Sequence, residues 1–156
     1  MIEQVLWALF LASLTVAVHV VGAVRVVLPW ARRGRTLADY RLPGGTVMLL
    51  VRLVGGLLVL HVIEMAIWAA AFAIAGIFDD FETAMYYSLM SYTTVGYGDV
   101  LPSVHWRLLG PIEAVVGVLM LGISTSIVVA VVQRIHFAEI GDVQSPVEKS
   151  HRPKHE

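Results

Sequence analysis

Hydrophobic residues run through this chain in three long blocks, from about Val5 to Val24, Leu53 to Ile77 and Trp106 to Val132. A hydrocarbon core of about 30 Å takes about 20 helical residues to cross, so the pattern predicts three membrane-spanning helices. Asp79 to Pro102, between the second and third blocks, alternates apolar and polar residues without a regular period and cannot span alone. Leu37 to Leu50 predicts a short interfacial helix broken at Pro43-Gly44-Gly45, and Phe137 to Glu156 a polar, loosely ordered tail.

Composition agrees with the pattern. Of 156 residues, 58% are hydrophobic, and the mean hydropathy of +0.77 exceeds that of ordinary soluble domains. There is no cysteine, which excludes disulfides and thiolate metal sites. A formal net charge of −1 gives no reason to expect a nucleic-acid partner. The opening lacks a basic n-region, so no secretory signal is expected.

The distribution of charge is more informative than its sum. Arg25, Arg32, Arg33, Arg35, Arg41 and Arg52 fall in or beside the connection between the first two blocks. The excess of Lys and Arg in cytoplasmic loops assigns that connection to the cytoplasm. The expected topology has the N-terminus outside, residues 79–102 on the outer side and the C-terminus cytoplasmic, in the plasma (inner) membrane. Arg32, Arg33 and Arg35 are candidate contacts for anionic lipid headgroups at the inner leaflet.

Within the mixed stretch stands Thr93-Thr94-Val95-Gly96-Tyr97-Gly98-Asp99. Backbone that is neither helix nor barrel survives at membrane depth only where protein buries it or it lines a watery cavity. Glycines at 96 and 98 free the chain to turn successive carbonyls to one side, and a row of carbonyls can replace the hydration shell of a cation. Upstream, Asp79 or Asp80 can cap a helix over 81–92, Asp79 and Glu82 having capping-box spacing. The negative end of that helix's dipole would favour a cation at its C-terminus.

Thr94-Val95-Gly96-Tyr97-Gly98 resembles the selectivity filter of potassium channels, and the order of elements from about Leu53 to Val132 is similar to their shared pore module. The resemblance implies an all-α membrane protein with three transmembrane helices, a re-entrant pore helix and a filter, assembled as a homotetramer around a central pore. Its parts would be an additional N-terminal helix (1–29), a basic linker (30–52), the pore module (53–132) and a short tail (133–156). Inside the module come an outer helix (53–77), pore helix (81–92), filter (94–98) and inner helix (104–132). It further implies K+ at the carbonyls of Thr94, Val95, Gly96 and Tyr97 with the Thr94 hydroxyl, Gly98 at the outer mouth, no organic cofactor and no enzymatic activity. No fused ligand-binding domain is expected in so short a tail.

Around the filter, Thr93, Asp99, Tyr86, Tyr87 and Met90 are candidate supports. Some relatives carry a glutamate at the position of Met90, paired with the aspartate behind the filter, and many carry two tryptophans where Tyr86 and Tyr87 stand. A phenol can still donate to a carboxylate, which predicts a bond to Asp99, from Tyr86 in preference to Tyr87.

Gly117 and Gly122 are both candidate gating hinges, because a helical glycine costs about 1 kcal/mol relative to alanine and needs a reason. Ser124, Thr125 and Ser126 either line a hydrated cavity or bond to their own helix. His61, Glu64 and Glu113 are ionisable groups inside spans, and at about 1.5 Å rise per residue the two glutamates reach similar depth. They are expected to share one buried network, either a protonation site that tunes gating or a satisfied structural cluster. A competing reading uses His19, His61 and His136 as haem or metal ligands, and leaves the filter run unexplained.

Overall fold

The computed structural model describes residues 2–33 and 43–150, with side chains described over 2–26 and 45–137. Four helices follow one another: α1 (Ile2–Arg33), α2 (Pro43–Ile74), α3 (Phe81–Tyr92) and α4 (Leu109–Ser150). Stretches Ile2–Val26, Gly45–Ile74 and Leu109–Phe137 are long and apolar enough to cross a membrane. The protein is an all-α membrane protein, with no strand among the described residues.

Helix ends correct several boundaries read from hydropathy. α2 starts at Pro43, ten residues before the expected Leu53, because proline in a first turn lacks only an N–H that the helix leaves unbonded anyway. Thr46 to Leu50 therefore belong to α2 and not to a separate interfacial helix. The other end comes at Ile74, short of Ile77: Gly76 takes a left-handed φ of 64°, its N–H bonds Ala73 O at 3.0 Å, and Ile77 N bonds Phe72 O at 2.9 Å. That bonding pattern is a Schellman stop.

The helix expected from 104 begins instead at Leu109, since turns closed by Trp106 N to Ser103 O (2.9 Å) and Leu109 N to Trp106 O (3.1 Å) occupy the preceding residues. It then continues to Ser150, where a loose tail was expected; residues 133–140 contain neither Gly nor Pro to stop it. α3 covers 81–92 as expected, yet its cap is Asp80 alone. Asp80 accepts Thr83 N and Thr83 Oγ1, both at 2.8 Å, so Asp79 and Glu82 form no capping box.

α3 lies between α2 and α4, and α1 packs against both α2 and α4. Gln4, Ala8, Leu11, Thr15, His19 and Ala23 form the buried stripe of α1, at spacings of three and four that keep one face of a helix toward its neighbours. Among residues 2–26 the exposed side chains of α1 are mostly apolar, as on a lipid-facing surface, with Glu3, Ser13 and Arg25 the polar exceptions. Trp68, Phe72, Tyr87, Tyr92, Met65 and Met120 fill the space around α3. Lipid tails are as apolar as leucine, so close packing and hydrogen bonds hold such helices together more than water exclusion does. Trp68 Nε1 illustrates this by donating to Thr15 Oγ1 at 2.9 Å, joining α2 to α1.

Candidate functional site

Residues 93–99 leave the end of α3 and are exposed along their whole length. Thr94, Gly96 and Gly98 have φ of 61°, 52° and 77°, whereas Val95 and Tyr97 between them do not enter the left-handed region. Handedness alternating from residue to residue turns successive peptide carbonyls the same way. Glycine adopts a positive φ freely, but a threonine there is strained, and such strain concentrates at functional sites. Bonds from Thr93 N to Leu89 O (3.2 Å), Thr94 N to Ser91 O (2.9 Å) and Gly96 N to Met90 O (3.1 Å) hold the run against the end of α3. Carbonyls 89–91 are thus occupied by the chain entering the run, which corrects the expectation that the end of α3 turns free carbonyls toward a cation.

Just past Gly98, Asp99 Oδ2 accepts from Tyr86 Oη at 2.7 Å. This bond holds the Asp99 carboxyl below its usual range, and the carboxylate in turn pushes the Tyr86 phenol up. Tyr87 does not reach Asp99: its buried hydroxyl lies against Gly110 and Ser91, where a Cβ at 110 would collide with it. Met90 supplies its carbonyl to Gly96, so its contribution to the run is made by backbone.

Beneath the run, Tyr92, the last residue of α3, meets a buried polar cluster drawn from the other three helices. Tyr92 Oη donates to Glu64 Oε2. His19 Nδ1 lies 2.8 Å from Glu64 Oε1, and His61 Nδ1 lies 2.9 Å from Tyr92 Oη and 3.4 Å from Glu64 Oε2. Ser124 Oγ closes the far side, 3.0 Å from His61 Nε2 and 3.5 Å from His19 Nε2. Glu64 and His19 are fully buried and His61 is 5% exposed.

The expected grouping of His61, Glu64 and Glu113 is therefore corrected. Glu113 turns to Ser88 Oγ, which also contacts Met65 O at 2.8 Å, and its Oε2 has no partner. His19 and Tyr92 take its place. A lone histidine on an apolar helix offers no local sign of its partner 45 residues away, although Gln4, Thr15 and His19 share the α1 stripe with Ala8 and Leu11. Polar residues recurring on a single helical face were the available signal. His136 is exposed on α4, away from this cluster, so the three-histidine ligand set is not assembled.

The two candidate hinges differ sharply. A Cβ at Gly117 would collide with the Tyr92 carbonyl, so this glycine lets α4 approach the end of α3. Nothing lies within 4 Å of a Cβ at Gly122, which lines an open groove along α4 with Val118, Ile123 and Ser126. Thr125 and Ser126 bond back to Leu121 O and Gly122 O at 2.8 and 2.9 Å, while Ser124 belongs to the buried cluster. The side chains of Arg32, Arg33 and Arg35 lie outside the described residues.

A family model described as "Ion channel" matches residues 48–134, over half of the chain and the whole of α3 and the run that follows it. No curated protein and no solved structure matches the chain. The matched segment contains the exposed run, its supports and both candidate hinges, and the protein belongs to this ion channel family and is a channel, not an enzyme.

Proposed function

We propose that the chain is one subunit of a homotetrameric, potassium-selective channel that passes K+ passively down its electrochemical gradient. The observation that carries this reading is the alternation of φ at Thr94, Gly96 and Gly98, which turns the carbonyls of 94–97 the same way along an exposed segment. Those carbonyls and the Thr94 hydroxyl replace the water around K+, and several copies are needed to surround an ion. Val95 and Tyr97, 49% and 74% exposed in one chain, then pack against neighbouring subunits and set the width of the ring. Gly122, in the open groove on α4, is the hinge of the inner helix.

Glu3 of α1 approaches His105 of the loop after the filter at 4.0 Å, which supports the start of α1 lying on the same face as that loop. Together with the arginines at the far end of α1, this favours an outer N-terminus in the plasma (inner) membrane, with a cytoplasmic C-terminus.

The test is the reversal potential of the purified protein in a planar bilayer with K+ on one side and Na+ on the other. The expected value lies near the K+ equilibrium potential. Gly96→Ala, which forces a Cβ onto a φ of 52°, is expected to abolish the current. A wild-type reversal near zero overturns the selectivity assignment.

A further inference from the structure

α1 lies outside the segment 48–134 that the family model matches, yet the fold builds it into the support of the run. His19 Nδ1 lies 2.8 Å from Glu64 Oε1, and the other oxygen of the same carboxyl, Oε2, accepts from Tyr92 Oη. Among the described residues no hydrogen bond joins His19 to Tyr92 itself, so His19 reaches the run only through Glu64.

Partners on both oxygens fix the plane of the Glu64 carboxyl. The last torsion of a glutamate is broad and sets no plane of its own, so a carboxyl held at Oε2 alone is free to swing. A second group is placed to receive it: His61 Nδ1, one turn away on α2, lies 3.4 Å from Oε2 and 2.9 Å from Tyr92 Oη. Without His19, Oε1 becomes a fully buried oxygen that has lost its partner, a state that costs free energy and that a turn of the carboxyl relieves.

Tyr92 passes such a turn on to the run. Its hydroxyl is held by α2 and its carbonyl lies against Gly117 of α4, so the last residue of α3 is gripped at both ends. The carbonyls just before it, of Leu89, Met90 and Ser91, take the N–H groups of Thr93, Gly96 and Thr94 respectively. Thr94, two residues on, has a φ of 61°, and a strained residue keeps its conformation only while its surroundings over-determine it. Releasing the Tyr92 hydroxyl removes one of those constraints.

We propose that His19 is a positioning residue for the ion path: it holds the Glu64 carboxyl in the plane that grips Tyr92, and so keeps the carbonyls of 94–97 turned the same way. The ion path rests on the function proposed above, whereas the grip on the run does not. α1 is then a working part of the pore and not only a helix packed beside it. Thr15 supplies the comparison. It too is buried on the α1 stripe and accepts a bond from α2, from Trp68 Nε1 at 2.9 Å, but among the described residues Trp68 bonds neither Tyr92 nor the run.

Three variants separate the two bonds. His19→Phe keeps a ring and removes its nitrogens, His19→Asn can set an amide donor or acceptor where Nδ1 stands, and Thr15→Val removes the bond to Trp68 while keeping the side chain's shape. His19→Leu replaces His19→Phe if the larger ring prevents folding. Two properties of the full chain are measured: hydrogen exchange at residues 93–96 in lipid nanodiscs, and the K+/Na+ permeability ratio in planar bilayers. His19→Phe is expected to speed exchange of the Thr93, Thr94 and Gly96 amides about tenfold, the factor to which one hydrogen bond corresponds, and to lower the permeability ratio. His19→Asn is expected to restore both, and Thr15→Val to leave both unchanged while lowering thermal stability. In a Tyr92→Phe background His19→Phe should add nothing, because residues acting through one another are not additive. Unchanged exchange in His19→Phe, equal acceleration in Thr15→Val, or a full additional effect in the Tyr92→Phe background would each overturn the proposal. Faster exchange with an unchanged permeability ratio, in a K+-selective wild type, would overturn the role in the ion path. A wild type that does not select K+ overturns the function proposed above, and the exchange comparison then decides the grip on the run by itself.

Discussion

The run 94–98 has two flanks built on different physical terms. At its outer flank, Asp99 is held through one hydrogen bond, from Tyr86, and the carboxylate is open to water. At its inner flank, Tyr92 is held by Glu64 and His61, which are held in turn by His19 and Ser124, all of them buried. Water can replace the outer bond, so breaking it leaves neither partner unsatisfied. Nothing inside the bundle can replace a member of the inner cluster. The run accordingly has one end fixed to all four helices and the other held by a replaceable contact, and changes of its shape are expected to begin at the replaceable end.

Glu64→Ala gives the strongest test of this contrast. It strips the acceptor from both His19 and Tyr92, and each buried polar group left unsatisfied costs about 1–3 kcal/mol. Denaturant unfolding in detergent should show a loss of that order. A loss no larger than that of an exposed substitution would mean that the inner flank is as replaceable as the outer one.

Gly117→Ala approaches the same flank from α4. The new Cβ collides with the Tyr92 carbonyl, and overpacking of this kind costs about 1–3 kcal/mol. Gly122→Ala meets open space, and helix propensity alone favours alanine there by about 1 kcal/mol. Opposite signs for the two stability changes are expected in unfolding experiments. If Gly122 is the hinge, the more stable Gly122→Ala protein should also show a lower open probability in single-channel recordings.

Features set by short-range physics were legible in the sequence. Three spans follow from block length, the bounds of α3 from its cap and the end of its apolar run, and the need for bare backbone at 94–98 from two glycines. The bond between Tyr86 and Asp99, thirteen residues apart, was legible only through the resemblance to potassium channels, whose paired tryptophans correspond to Tyr86 and Tyr87. The inner cluster could not be assembled in this way, because its members come from four helices whose relative rotation depends on packing. Matching depth brought Glu64 and Glu113 together on paper, but depth says nothing about which way a helix face turns. The start of α4 differs for a related reason: Val104, Trp106 and Leu108 extend the apolar block toward the loop, but turns closed by backbone bonds use those residues instead.

The smallest effect expected is that of Tyr86→Phe at the mouth. The Tyr86 hydroxyl is the main cause of the depressed Asp99 carboxyl, so its removal should let Asp99 titrate closer to the ordinary carboxylate range. A carboxyl whose folded value is depressed stabilises the fold above its unfolded value, and this contribution disappears as pH falls through the folded one. In wild type the outer bond therefore persists through neutral pH and is lost only in acid, below the range where free aspartates titrate. In Tyr86→Phe that acid transition should be absent or moved to higher pH, with little change in stability at neutral pH. Changes in the shape of the run, read as current decay at acid pH, should shift with it. An identical acid response in both proteins would mean that the mouth is not governed by the Tyr86–Asp99 bond, and the contrast between flanks would then rest on the inner cluster alone.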